Sequence, residues 1–242
     1  MRMHTATGRS RWPYVIGSTV AAAAIAGGVA FGVTRPNDEP VAAPTTSTPA
    51  SAAPTVAPTG GSSGAGDNED DVPPTGCLGG LDRDAEMVLA AQDEAKHTTY
   101  GAVEVATTFY RFLWQYPYPS AGDADRVQES VMASSAPEAF ADVAAGYEAV
   151  GDDPTQGVLP AGTDFHLSTT NGLWRVSETS TPDRVEVSLA AGYVIDGALS
   201  PTKVAVNGFV VVWEDDGWRI EQGLTIDQDR LAAGGTRYTG GC

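Results

Sequence analysis

The chain has 242 residues, with 16 prolines, 28 glycines and a formal net charge of −17. That much proline and glycine excludes a single compact domain from end to end, and the acidic balance excludes nucleic acid and anionic lipid headgroups as surfaces that the folded part would seek. Two cysteines and three histidines leave little material for thiol or metal chemistry.

From Tyr14 to Val33 the sequence YVIGSTVAAAAIAGGVAFGV carries no charge. Its length, about 20 residues, is that of a helix crossing a bilayer core. Arg2, Arg9 and Arg11 precede it with no acid among them, whereas Asp38 and Glu39 follow it. The positive-inside bias therefore predicts a cytoplasmic N-terminus at 1–13, a transmembrane helix at 14–34 and a single pass that puts the remainder outside the cytoplasm, at the cell membrane. A cleaved signal peptide shares the basic start and apolar run, but the best small-x-small site, Ala24-Ile25-Ala26, falls inside the apolar stretch. Gly28 and Gly32 have the GxxxG spacing through which two such helices pack, so a second copy of the chain is one expected partner.

Residues 35–76 are Pro, Ala, Thr, Ser and Gly with almost no large apolar side chain. Such a segment buries too little surface to offset its ordering entropy and reads as a disordered tether, spanning on the order of 35 Å as a coil. Asp67, Glu69, Asp70 and Asp71 lack the alternating ligands and turn glycine of a calcium loop and read as a solvated charge run.

Cys77 and Cys242 bracket the last 166 residues. In an oxidising space such a pair reads as one disulfide tying the ends of a domain. Lipidation of Cys77 competes on the small residues Thr75 and Gly76 before it, but the site lies some 40 residues beyond the apolar run. A catalytic thiol has no histidine near it in sequence.

Within 77–242, Asp82 is placed to cap a helix carrying Ala85, Val88, Leu89 and Ala95 on one face. After Thr98 and Thr99, the positions Ala102, Val105, Ala106, Phe109, Phe112, Leu113 and Tyr116 follow helical spacing until Pro117 and Pro119, which predicts the central core helix, ending near Trp114. No element is predicted for Asp123 to Met132. Ser135-Ala136-Pro137-Glu138 has the form of a capping box and predicts a helix through Phe140, Val143, Ala144, Tyr147 and Val150, stopped by Gly151.

Beyond Gly157 the period changes to 2. Phe165, Leu167 and Thr169 alternate, as do Leu173 and Arg175 against Trp174 and Val176, and Val185 to Ile195 alternate for longer. Lys203 to Ile226 reads as two strands joined at Asp215-Asp216-Gly217, with Asn207-Gly208 as a bulge within the first. Trp213 and Trp218 flank that turn, and Trp218, before the alternation into Ile220, is expected to pack under the helices. Helices followed by an antiparallel meander predict an α+β domain, its helices on one face of a curved sheet.

The order of elements, the helix ending in Trp114-Gln115-Tyr116-Pro117 and the strand pair Val212-Trp213-Glu214-Asp215-Asp216-Gly217-Trp218-Arg219 resemble the nuclear transport factor 2-like cone fold. With the anchor, the tether and the Gly76-Cys77-Leu78-Gly79-Gly80 start, the plan resembles uncharacterised membrane-anchored proteins of actinobacteria and the cone-fold inner-membrane components of type IV secretion and conjugation machines. The resemblance implies a scaffold or interaction subunit whose partners are other cell-envelope proteins, with no cofactor and no nucleic acid held. The 25 acidic and 10 basic residues from Cys77 onward, a net charge of −15, agree with that last expectation.

The same fold class also hosts enzymes, such as ketosteroid isomerase, in which a pocket Asp base works with a Tyr or a second acid. The residue types for that alternative are Tyr110, Tyr116, Tyr147 and Tyr193 with Asp164, Glu186 or Asp196. His166, between Phe165 and Leu167, is expected on the solvent face of its strand. No catalytic series, metal-ligand spacing or phosphate loop is readable, so the expectation is a domain that binds and is not an enzyme.

Overall fold

The computed structural model describes residues 71–242. The expected cytoplasmic start, the span at 14–34 and the tether as far as residue 70 lie outside the described residues. Among the described residues no helix is long and apolar enough to cross a membrane.

Among the described residues five helices come first: α1 (Ala85–Glu94), α2 (Thr99–Leu113), α3 (Ala121–Val131), α4 (Glu138–Ala141) and α5 (Val143–Val150). The cap of α1 is Asp84, not Asp82; its carboxylate accepts from the Met87 amide, satisfying one of the orphan donors of the first turn. Thr98 caps α2 through the Gly101 amide, as its position in the sequence predicts. The helix α3 went unpredicted because its buried stripe is only Ala124, Val127 and Val131; Ser120 starts it by accepting from the Asp123 amide. The expected capping box at Ser135 is not formed. Pro137 caps α4 without a side-chain bond, Ser135 Oγ donates instead to Glu221, and Asp142 divides the predicted helix in two by capping α5 at the Ala145 amide.

The strands are β1 (Phe165–Val176), β2 (Arg184–Ile195), β3 (Ala198–Glu214) and β4 (Gly217–Gly223); α6 (Gln228–Gly234) and β5 (Thr236–Arg237) close the chain. They form one antiparallel sheet in the order β4-β3-β2-β1-β5. The two short runs expected around Leu167 and Trp174 are one strand with an irregularity between Ser168 and Leu173, where Asn171 has φ 60°. Two-residue turns make the β2–β3 and β3–β4 hairpins. Asp196-Gly197 joins β2 to β3 with both φ positive, a turn signal not used in the sequence reading. At the second hairpin the positive φ values fall on Asp215 and Asp216, and Gly217 is already paired with Glu214. Asn207-Gly208 is neither turn nor bulge: it stays in register with Leu189 and Ser188. Glycine is required there because a Cβ at Gly208 would stand 2.5 Å from Ile226 Cγ2.

The helices lie on one face of this curved sheet, an α+β architecture. Every residue of α2 except Tyr100 is buried, so it is the central core helix. Phe109, Phe112, Trp114 and Trp218 are buried, while Trp213 is half-buried. Phe109 and Tyr110 meet Phe209 edge-on at ring separations of 5.4 and 5.9 Å, and Trp114 Nε1 donates to the Tyr193 hydroxyl at 3.2 Å. The space between α2 and the sheet is filled by these rings. On the other face α6 covers Ala190 and Val206 with Leu231.

Cys77 and Cys242 are joined, with Cα atoms 5.7 Å apart. Contacts of the folded domain reach upstream of Cys77, into the last residues assigned to the tether: Thr239 N–H donates to Pro74 O, and Asp71 pairs with Lys96 at 3.7 Å with its carboxylate largely covered. Asp71 is thus no solvated charge. Residues 75–83 form a strap across a polar stripe of α2 and its end, with partners at i, i+4, i+7 and i+11. Glu104 Oε1 accepts from the Thr75 amide and hydroxyl and from the Gly76 amide. Thr108 Oγ1 donates to Leu78 O, Arg111 Nη1 to Gly80 O at 3.1 Å, and Gln115 Nε2 to Arg83 O at 2.7 Å. A helix buried all round needs partners for its polar side chains, and the strap backbone supplies part of them, leaving Glu104 Oε2 and two nitrogens of Arg111 without one. Gly76 has φ 77° and a built Cβ would meet the Thr169 side chain at 2.7 Å, so the strap has this one shape.

Candidate functional site

Three local features bring polar groups together at the end of α2. After the helix ends at Trp114, Tyr116 pairs its backbone with Phe165, each amide donating to the other's carbonyl at 2.9 Å. That pairing sets Tyr116 beside the start of β1, and hence beside Asp164 and His166. In the β1–β2 register Phe165 faces Ile195 and His166 faces Val194, which brings the Asp196-Gly197 turn to the same place. The strap delivers Arg83, whose carbonyl is held by Gln115. The result is a cleft of about 500 Å³ lined by these residues, with Asp164 and Asp196 exposed on its rim.

His166 obeys the predicted alternation, since Phe165 and Leu167 are buried on the other side. It is nevertheless half-buried and faces the cleft, not open solvent. Burial, then the cations of Arg83 and Arg111, bring it down to about 4, so it is neutral at pH 7. Arg111 is fully buried; desolvation, with Arg83 nearby, brings its guanidinium to about 10. Arg83 Nε and Arg111 Nε and Nη2 are buried without a hydrogen-bond partner.

Of the acid and phenol candidates, only Tyr116, Asp164 and Asp196 are brought together. Tyr110 and Tyr193 belong to the filled interior, and burial raises both phenols. Tyr147 stacks on Tyr118 at 4.3 Å in a neighbouring aromatic groove of about 400 Å³, which Tyr116 also lines. Glu186 accepts from Thr179 and pairs with Arg184 on β2, away from the cleft. An isomerase-like site, with a carboxylate in an apolar pocket against a phenol, is therefore not assembled from the interior tyrosines. Arg83 and Gln115 were missed because nothing in their local sequence distinguishes them; only the strap brings them here. Among the described residues no group of three or more His, Cys, Asp or Glu is arranged to hold a metal.

These features define an α+β protein with a disulfide-closed domain and a polar cleft at the end of its central helix. The chain matches no protein-family model, no curated protein and no solved structure.

Proposed function

We propose that the chain is a membrane-anchored, extracytoplasmic interaction domain of nuclear transport factor 2-like cone type, a structural subunit of a cell-envelope assembly such as a secretion or conjugation machine. The observation that carries this reading is the interior between α2 and the sheet, where an enzyme of this class would keep its pocket. Here it is packed with Phe109, Tyr110, Trp114, Tyr193 and Phe209, which supports a rigid body presented to partners. The clasped strap supports it too, because a domain held by a tether needs a firm attachment where that tether enters.

The test is made in cells. A reporter fused after Cys242 should be active only outside the cytoplasm, and crosslinking of the full chain in membranes should retrieve defined envelope proteins. Cytoplasmic reporter activity, or function retained by a secreted form lacking residues 1–34, would overturn the reading.

A second reading is ligand binding with or without catalysis, favoured by the convergence of Tyr116, Asp164, His166 and Asp196 on one cleft. Loss of cellular function on substituting Asp164 and Asp196, with the anchor intact and the domain folded, would favour it.

A further inference from the structure

The cleft at the end of α2 separates its charges in a way that suits one kind of small molecule. On one side stand two donors: the guanidinium of Arg83, whose Nε has no partner within the protein, and the ring of His166. A carboxylate fits such a set, because the Arg fork and the imidazole N–H can each donate to its charged oxygens. On the exposed rim stand Asp164 and Asp196, contributed by the start of β1 and by the β2–β3 turn. They repel a multiply charged anion and attract a cation. The remaining wall is Pro117, Phe165 and Val194, which leaves room for a short apolar spacer between the two charged ends.

We propose that this cleft binds a small zwitterion, with its carboxylate on Arg83 and His166 and its ammonium group at Asp164 and Asp196. Neutral His166 can donate from one ring nitrogen without adding a charge, so the cleft lining carries one cation, Arg83, against two rim acids, with Arg111 buried near by. A zwitterion is then selected over a simple anion. The inference is independent of whether the domain is anchored or builds an assembly.

The experiment uses the purified full-length chain. Glycine, β-alanine and γ-aminobutyrate are titrated at millimolar concentrations against acetate and methylammonium, by calorimetry and by the NMR shifts of the His166 ring. At least one of the three zwitterions should shift that ring and bind about tenfold or more tightly than acetate or methylammonium, a difference of about 1.4 kcal/mol. Arg83→Gln should weaken it about tenfold; if that variant does not fold, Arg83→Lys, which keeps the charge and loses the fork, should weaken it as well. The double variant Asp164→Asn, Asp196→Asn keeps a side chain that tolerates the turn's positive φ. It should bring the zwitterion and acetate to the same level, the zwitterion weakening as its ammonium partners are lost and acetate gaining as the repulsion of the rim is removed. Acetate binding as well as every zwitterion, zwitterion binding indifferent to the double substitution, or no response of His166 to any probe would overturn the proposal.

Discussion

Trp213 and Trp218 are direct partners across the β3–β4 ladder, with ring centroids 5.3 Å apart and planes at 76°. Cross-strand partners share a face, so the same two-residue turn that separates them by five positions turns both rings toward the helices. Their fates differ. Trp218 is wholly buried and donates through Nε1 to Lys96 O at 2.8 Å, whereas Trp213 stacks on His97 at 4.1 Å and stays half-covered.

Truncating the two rings should therefore have unequal effects. Trp218→Ala leaves a large cavity and removes one of the two donors to Lys96 O, the Thr98 amide remaining, and should cost roughly 3–5 kcal/mol. Trp213→Ala loses one face of a stack and should cost about 1 kcal/mol. Denaturant unfolding of the two variants checks the ranking, and equal losses would mean that Trp218 is not the ring that closes the core.

Glu104 is the keystone of the strap. Replacing it with Ala removes the acceptor shared by the Thr75 amide and hydroxyl and the Gly76 amide, and should cost roughly 3 kcal/mol because buried donors are left without a partner. Hydrogen exchange should show the Thr75 and Gly76 amides exposed first, with the β2–β3 ladder unaffected.

The disulfide closes a loop of sequence separation 165. In the chain-entropy view, opening it by Cys77→Ser with Cys242→Ser should lower stability by roughly 5 kcal/mol. Peptide mapping without reductant should recover Cys77 joined to Cys242 from the native protein.

Stability should fall on acidification through His166. Its folded value is held at about 4, below the ordinary histidine value, so the unfolded chain binds the proton first. The contribution is fully present above about pH 6.5 and is lost progressively as the pH falls toward 4. Unfolding curves of the parent and His166→Asn across that window should converge or cross on the acid side; parallel curves would place the ring outside the depressed state.

The sequence read well where one period governs a whole face. The central helix from Thr99, the alternation of Val185 to Tyr193 and the turn at Asp215 were legible because burial on one side imposes spacing. It read poorly where partners are distant. Glu104, Thr108 and Arg111 interrupt an apolar helix, and only the strap folded over them explains the interruption. The Ser135 capping box failed because Ser135 Oγ is taken by Glu221, and Asp142, about two turns on, caps the helix that follows. The cleft was half visible: Tyr116, Asp164 and Asp196 were named, but only register and the Tyr116–Phe165 pairing bring them together, and Arg83 arrives from a segment more than 30 positions away.

Because Cys77 and Cys242 meet, the order in which the chain is written matters less to this domain than its circuit of neighbours. The backbone runs out from that junction and returns to it, as a ring does. A ring can be opened elsewhere: the exposed stretch at Pro160 and Ala161 offers a break that cuts no strand pairing. A permuted chain beginning at Ala161, its old ends spliced across the junction, should fold to the same sheet, and its helical layer would then be made after the strands rather than before them.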